Sequence, residues 1–577
     1  MASETRETTP SEPDVVCGFK PARRVVAIMT AADPFEALRA DTIGRDAMLR
    51  TPFGVRQLLY ADFIASGRSL ASVERTITAD VLPLYANSHT EDSATGAVTT
   101  HLLHDADRFV KECVQAGPEH KLVWCGTGST ASIKRLQEIL GVAVPSSLRD
   151  RVLASMRPDE RPVVFVGPYE HHSNEVTWRE TLVEVVEIPL CPAGQCDLVA
   201  LQEALADPLW EGRTKIGSFS AASNVTGICT DTRAVARILH AHGAWACFDF
   251  AASAPYVDID MHAGLDDRYD AIFISAHKFI GGPGTPGILI FDEGMYTLDA
   301  PSTGGGGTVA YVSTDRHRFV ADIETREDAG TPAILQRVRA ALAFAVKERI
   351  GVAAISTRED ALLGRALGAL RADQRIELLG DVDAPRLAVL SFLVRPEAGG
   401  PILHPRLVVR LLNDLFGVQA RGGCACAGPY GHRLLHIGHD LSERYMDEID
   451  AGHEGLKPGW TRISLHYTLT DDELDGIVAA IRWIAANGTS LVPAYELDWA
   501  TGTWTHADDA GFHELRFGID GLAGIGPRPV AADGDARTRF ARYLAEADRI
   551  VAGVRSVGHE PKALPADIPG ELVYFAR

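Results

Sequence analysis

Between Tyr60 and Asp292 the chain keeps switching from one periodicity to another, and this pattern leaves few architectures open. Short apolar runs rich in β-formers, "KLVWCGTG", "RPVVFVG", "KIGSFSAAS", "AWACFDFA" and "DAIFISAH", alternate with helical stretches such as "STASIKRLQEILG" and "DTRAVARILHAHG". Strand and helix in alternation predict an α/β fold, a mostly parallel sheet with helices on both faces. From about Pro332 a helical "AILQRVRAALAFAVKERI" leads into a second αβ pattern, "RLAVLSFLV", "HPRLVVRLLNDLFG", "WTRISLHY" and "DDELDGIVAAIRWIAANG". A smaller second domain is expected there. The expected organisation is a polar, disordered tail over residues 1–20, a large domain over 21–330, a small αβ domain over 331–490 and an extension over 491–577. Within the extension, Phe540, Tyr543, Leu544, Ala547, Ile550, Val551 and Val554 recur at helical spacing. Nothing in its composition states its purpose.

At 577 residues the chain exceeds what a single core usually covers. Its formal net charge of −21 repels nucleic acid phosphates and anionic membrane surfaces, so neither partner is expected. The opening "MASETRETTPSEPD" lacks a basic and an apolar leader region, and no later run reads as a membrane span. A soluble cytoplasmic protein is the expectation. The 9 cysteines, among them Cys17, form no disulfide framework, so reduced thiols are expected. The unusual place is "GGCACAG", where Cys424 and Cys426 sit in a glycine-rich loop rather than in a core. A redox or metal pair is the rival reading, but two thiols alone do not complete a zinc site.

Ligands of open parallel sheets bind beyond the carboxyl ends of the strands. Three such ends carry chemistry: "FDF" closes on Asp249, "FISAHK" closes on Lys278, and "GTGST" opens a helix. An amine, a carboxylate and a helix N-terminus are the set that pyridoxal 5′-phosphate demands. The amine forms the Schiff base, the carboxylate keeps the ring nitrogen protonated, and the helix amides with nearby hydroxyls take the phosphate.

With these residues in view, the chain resembles the class V aminotransferase family of pyridoxal phosphate enzymes, and within it the cysteine desulfurase and selenocysteine lyase branch. From about Tyr60 to Asn487 the motifs follow the family's order: "YADFIASG", "GTGSTASIK", "YEHHSNEVTWRE", "SAASNVTG", "DFAASAPYVDID", "SAHKFIGGPGTPG", "EDAGTP", "ARGGCACAG" and "RISLHY". The resemblance implies fold type I, a homodimer and an amino-acid substrate.

It also implies roles. Lys278 corresponds to the Schiff-base lysine, Asp249 to the partner of the ring nitrogen, and His171 to the histidine stacked on the ring. His172 reads as a polar neighbour or a group acting behind it. Ser129, Thr130, Ser275 and His277 correspond to phosphate donors, although the first two are also ordinary helix-capping types. Thr331 corresponds to a threonine that reaches the phosphate of the neighbouring subunit. Asn224 is placed near substrate and cofactor, with turn chemistry as its alternative. Arg462 corresponds to the clamp on the substrate α-carboxylate, a task for a planar two-pronged donor. Arg421 opens the cysteine loop. Asn87 and His89 fall where the family has an active-site loop, though the stretch also reads as a polar connection. Ala252 departs from the family, which often has a glutamine there.

Cys426 takes the position of the family's persulfide-forming cysteine, while Gly423, Cys424 and Ala425 replace a Gly-His-His. Flanking glycines are expected to make this thiol mobile. Three readings follow. The first is a cysteine desulfurase that turns L-cysteine into alanine and a protein persulfide, with a sulfur-acceptor protein as further partner. The second is a class V aminotransferase, epimerase or β-lyase acting on another amino acid. The third is a non-enzymatic binding or sulfur-carrying protein.

Overall fold

A computed structural model describes residues 34–261, 264–508, 534–557 and 563–576. The tail expected over residues 1–20, with Cys17, lies outside the described residues. The large sheet has seven strands: β1 (His120–Cys125), β2 (Val163–Val166), β3 (Glu184–Glu187), β4 (Lys215–Ser220), β5 (Trp245–Asp249), β6 (Ala271–Ser275) and β7 (Gly287–Asp292). Their spatial order is β1-β7-β6-β5-β4-β2-β3. Only β7 opposes its neighbours; the pairs β6–β5, β5–β4, β4–β2 and β2–β3 are parallel. The alternation in the sequence therefore became the mostly parallel sheet it predicts.

These strands are apolar on both faces because both faces are covered. Phe165, Phe248, Ile272 and Ile274 join one core layer, while Val164, Val166, Cys247 and Phe273 join another. Helices α1 (Ala94–Cys113), α2 (Gly128–Ile139), α3 (His172–Arg179) and α4 (Thr232–Ala241) supply the opposing surfaces. Helix α5 (Ile334–Ile350) starts past the boundary expected at residue 331, yet Ala340, Ala341 and Phe344 lie in the large-domain core. Gly351, at φ 82°, ends it and turns the chain into α6 (Val352–Leu370), whose Leu362, Ala366 and Leu370 face the other core.

That second core surrounds an antiparallel sheet of β8 (Ile376–Leu378), β9 (Val389–Val394), β10 (Arg421–Gly423) and β11 (Trp460–Ser464), in the order β8-β9-β11-β10. Helices α7 (Pro405–Phe416), α8 (Gly428–Leu434) and α9 (Asp471–Asn487) pack with it. A capping box, Thr470 with Glu473, starts α9. Contrary to the expectation that no run is apolar enough, Asp471–Ala494 has the length and hydropathy of a membrane span; more than half of that window is buried inside the protein, as a core helix.

The extension is built into this same core. Its hairpin, β12 (Tyr495–Asp498) and β13 (Thr503–His506), leads to the expected helix, α10 (Ala536–Val557). Phe540, Tyr543, Ala547 and Val551 of α10 are buried against α9 and its neighbours. Gly476 of α9 is necessary for that approach, since a Cβ there would stand 2.1 Å from the Phe540 ring. The Tyr543 hydroxyl accepts a hydrogen bond from Gln57 N at 3.1 Å, and Trp483 donates to Asp548 at 2.8 Å. At the end of the chain, Ala576 N donates to Ile402 O at 2.8 Å.

Phe540→Ala should therefore act as a core truncation. A loss of about 3–5 kcal/mol is expected, seen in chemical denaturation as an earlier midpoint for the small domain as well as for α10. An extension folding on its own would leave the small-domain transition in place.

Candidate active site

One cavity of about 300 Å³ lies at the carboxyl ends of the central strands. Ser129, Thr130, His171, Asn224, Asp249, Ser275, His277, Lys278, Arg421, Cys426 and Arg462 all line it. Residues spread over more than 300 positions thus meet because β4, β5 and β6 end side by side and the small domain closes over them. Thr331 is exposed and does not line this cavity, and Asn87 and His89 stand apart from it as well.

At one end, α2 begins without a side-chain cap, because Thr127 makes no capping bond. The first turn is held instead by β6: Ser129 N donates to Ser275 Oγ at 2.9 Å, and the two hydroxyls lie 3.2 Å apart. Gly128, at φ +58°, leaves open the space that a Cβ would take 3.0 Å from His277 and from Ser275. The remaining first-turn amides, the hydroxyls and this glycine make a cradle suited to a phosphate. Thr130 and Ser173 share a hydrogen bond of 2.6 Å, which continues to His171 Nδ1 at 3.0 Å from Ser173 Oγ.

In the middle, Asp249 and Lys278 are set by burial. The Asp249 carboxyl is pushed above its usual range by desolvation, against an opposing bond from Ala251 N at 2.9 Å and the field of Lys278. The Lys278 amine is lowered from 10.5 to about 8, first by desolvation, with Asp249 opposing. An amine that sheds its proton this readily is a nucleophile near neutral pH. His171 is lowered to about 4 by burial and by Lys278, so it presents a neutral ring. Asn224 Oδ1 is buried without a hydrogen-bond partner, and Ala252 beside it has only a methyl group. A polar, aromatic ligand bearing a phosphate and an aldehyde fits this set of groups.

The far wall contains residues that the sequence reading missed. Asp62 accepts from Arg462 Nη2 at 3.0 Å and from Arg421 Nε at 2.9 Å, so one carboxylate holds both arginines. The only sequence signal is an acid inside the otherwise apolar and aromatic "YADF". Arg462 also donates to the Asn224 carbonyl at 2.8 Å, and its buried Nε makes no hydrogen bond. Glu170, buried behind His171, is raised to about 7 by desolvation even though Ser220 and Asn174 donate to it.

The cysteine loop is not a free flap. His172 N donates to Cys426 O at 2.9 Å, Gly428 N donates to His172 Nε2 at 2.8 Å, and Asn224 Nδ2 donates to Ala425 O at 2.7 Å. Between these pins, Ala425 and Cys426 adopt left-handed φ values of 49° and 56°, rare for residues with a Cβ. Such strain persists only where surroundings enforce it, and Cys426 is exposed while lining the cavity. His172 is thus a positioning residue of the loop. The eight described cysteines are free thiols.

An amine, a buried carboxyl and a phosphate cradle at the strand ends of this sheet define an enzyme of the pyridoxal phosphate fold type I class. The chain belongs to the aminotransferase class-V family, whose sequence pattern it matches over residues 59–477. It is 27% identical over 378 residues, 65% of this chain and 84% of the relative, to a probable cysteine desulfurase of Staphylococcus aureus (strain COL). A probable cysteine desulfurase of Halobacterium salinarum is 29% identical over 322 residues, 55% of this chain and 68% of the relative. In structure the chain is similar to the cysteine desulfurase of Thermococcus onnurineus NA1, with a TM-score of 0.61, 20% identity and coverage of 78% and 98% of the two chains. The cysteine desulfurase CsdA of Escherichia coli gives a TM-score of 0.59 at 21% identity, with the same coverages.

The lowered amine makes a direct prediction. An aldehyde probe fixed by borohydride should modify Lys278 with a pH midpoint near 8 rather than 10.5, because only the unprotonated amine adds to a carbonyl. Peptide mapping across a pH series reads this, and Lys278→Ala should abolish the adduct. The same shift makes stability rise with pH between about 8 and 10.5, where the unfolded chain holds a proton the folded one has lost.

Proposed function

We propose that the chain is a pyridoxal 5′-phosphate-dependent cysteine desulfurase that converts L-cysteine to alanine and leaves the sulfur as a persulfide on Cys426. The observation that carries this reading is that Lys278, Asp249 and Cys426 line one cavity. Lys278 would hold the cofactor covalently, Asp249 would face its ring nitrogen, His171 its ring, and α2 with Ser129, Thr130, Ser275 and His277 its phosphate. When bound, pyridoxal 5′-phosphate supplies an electron sink that loosens the bonds at the substrate Cα and Cβ.

The chain's own residues do the rest. Arg462, kept rigid by Asp62, receives the substrate α-carboxylate through its remaining N–H groups. The Lys278 amine takes and returns the proton at the substrate Cα, which its lowered pKa permits. The Cys426 thiolate attacks the substrate sulfur; the new S–S bond forms as the C–S bond breaks, and the electron pair left on Cβ is protonated to give alanine. Free thiols fit a reducing compartment such as the cytoplasm, and an acceptor thiol would take the persulfide onward. A second reading, an aminotransferase, epimerase or β-lyase acting on another amino acid, is favoured by one observation: Ala252 cannot donate a hydrogen bond to the cofactor.

Cys426→Ala separates these readings. It should bind cysteine yet release little alanine, and brief exposure of the wild type to cysteine should add one sulfur to the peptide holding Cys426, by mass spectrometry. Full turnover by Cys426→Ala, or turnover of another amino acid with cysteine untouched, would favour the second reading. We also propose a homodimer in which Thr331 reaches the partner subunit's site, supported by its exposure away from its own cavity. Heterodimers of Lys278→Ala and Thr331→Ala chains should regain activity, because one of the two sites is then intact; an absence of recovery would argue that each subunit closes its own site.

A further inference from the structure

The cysteine loop is a partition rather than an edge. Behind it lies a second cavity of about 170 Å³, and Arg421, Ala425 and Cys426 line both spaces, whereas Cys424 lines only the second. The outer walls come from Arg406, His404, Lys457 and, from the extension beyond the family match, Tyr574. The Tyr574 hydroxyl donates to Lys457 O at 2.9 Å, so the end of the chain is fastened to this chamber.

The chamber carries positive charge. Arg406 gives one N–H to the Thr501 carbonyl at 2.6 Å, and Lys457 makes a long, part-exposed ion pair with Glu454, 3.8 Å from its Nζ. Arg421 is already paired with Asp62. Among the described residues, no carboxylate lines the cavity. His404 is 2% exposed, and its Nδ1 accepts from Arg406 N at 3.2 Å. Burial, and then Arg406, lower its pKa to about 3, so the ring is neutral with its proton on the buried Nε2, which faces the Gly455 backbone. Cationic side chains around a thiol, in a cavity that no carboxylate of the described residues lines, make an anion the fitting occupant.

We propose that this chamber binds a small anionic thiol, which takes the sulfur from Cys426 on the side away from the cofactor. The proposal rests on the desulfurase reading. The space holds a molecule of a few heavy atoms and not a folded chain segment, which selects a small acceptor here over a protein loop. Arg406 and Lys457 hold the anionic head, so that the acceptor thiolate meets the terminal sulfur of the Cys426 persulfide. A bond forms between the acceptor sulfur and that terminal sulfur, the S–S bond to Cys426 breaks, and its electron pair leaves as the Cys426 thiolate. The product is the acceptor's persulfide, and no oxidant or reductant enters.

Charge-matched methanethiosulfonates test the chamber without any turnover. On the holoenzyme, the sulfonatoethyl reagent should label Cys426 about tenfold faster than the trimethylammonioethyl reagent, read by peptide mass spectrometry. Lys457→Glu and Arg406→Ala should each lower that ratio several-fold, and Lys457, a part-exposed surface side chain, is the change least able to disturb folding. A ratio equal to wild type in both variants overturns the chamber. For transfer, enzyme carrying the Cys426 persulfide is given 2-mercaptoethanesulfonate or 2-mercaptoethanol. Faster sulfur transfer to the sulfonate, lost in Lys457→Glu, supports the proposal; equal rates, or transfer only to a macromolecule, overturn it. If cysteine places no sulfur on Cys426, the desulfurase reading and the transfer fall together, while charge-selective labelling would still support an anion site.

Discussion

Asp62 is the carboxylate on which the rest of the site depends. Its pair with Arg462 is nearly dry, with side-chain exposures of 10% and 4%, and Arg421 completes the cluster. Removing one partner of such a pair strands a buried charge and typically costs 3–5 kcal/mol. Its position matters more than its energy. Asp62 follows a short segment in which Leu59 and Tyr60 pair in parallel with Val418 and Gln419, and Ser464 N donates to Ala61 O at 2.7 Å. A stretch preceding the large sheet is thereby sewn into the small domain, and the guanidinium of β11 is fixed in the far wall of the cavity.

Around that anchor, desolvation rather than ion pairing sets the electrostatics. Burial lowers Lys278, His171 and His277 and raises Asp249 and Glu170, and in each case it is the largest cause. Each of these groups is thereby shifted toward its neutral form. A free amine and a neutral imidazole are what a carbonyl-bearing cofactor meets most productively, whereas a phosphate needs the uncapped helix end that burial cannot neutralise.

The cysteine loop shows how strain and support are divided. Two consecutive left-handed residues, Ala425 and Cys426, form the turn, and bonds with His172 and Asn224, both carried by the large domain, hold it. The extension supports the same region from behind: its helix shares the small-domain core, and its last residues reach Ile402 and Lys457. What reads in sequence as an appendage is a structural part of the wall facing Cys424.

Local pattern alone was enough for the alternation that dictates the sheet, for the helix over Ala536–Val557, and for placing Lys278, Asp249 and Ser129 at strand and helix ends, because strand ends and helix starts are written in neighbouring residues. The convergence of Arg462 and Cys426 on the same cavity was legible only through the order of motifs. Pairings between distant positions left no local trace. Asp62 meets Arg462 across 400 residues, His172 caps a turn at Gly428, α5 belongs to the large-domain core, and Gly476 admits Phe540. Glycines predict a mobile cysteine loop, but backbone freedom is a property of isolated chain, and hydrogen bonds from other elements restrain this one. Sequence determined which elements form and which chemistry they can carry; only tertiary structure decided which charges neutralise one another and which cavity each thiol faces, since both depend on burial and distance between segments far apart in the chain.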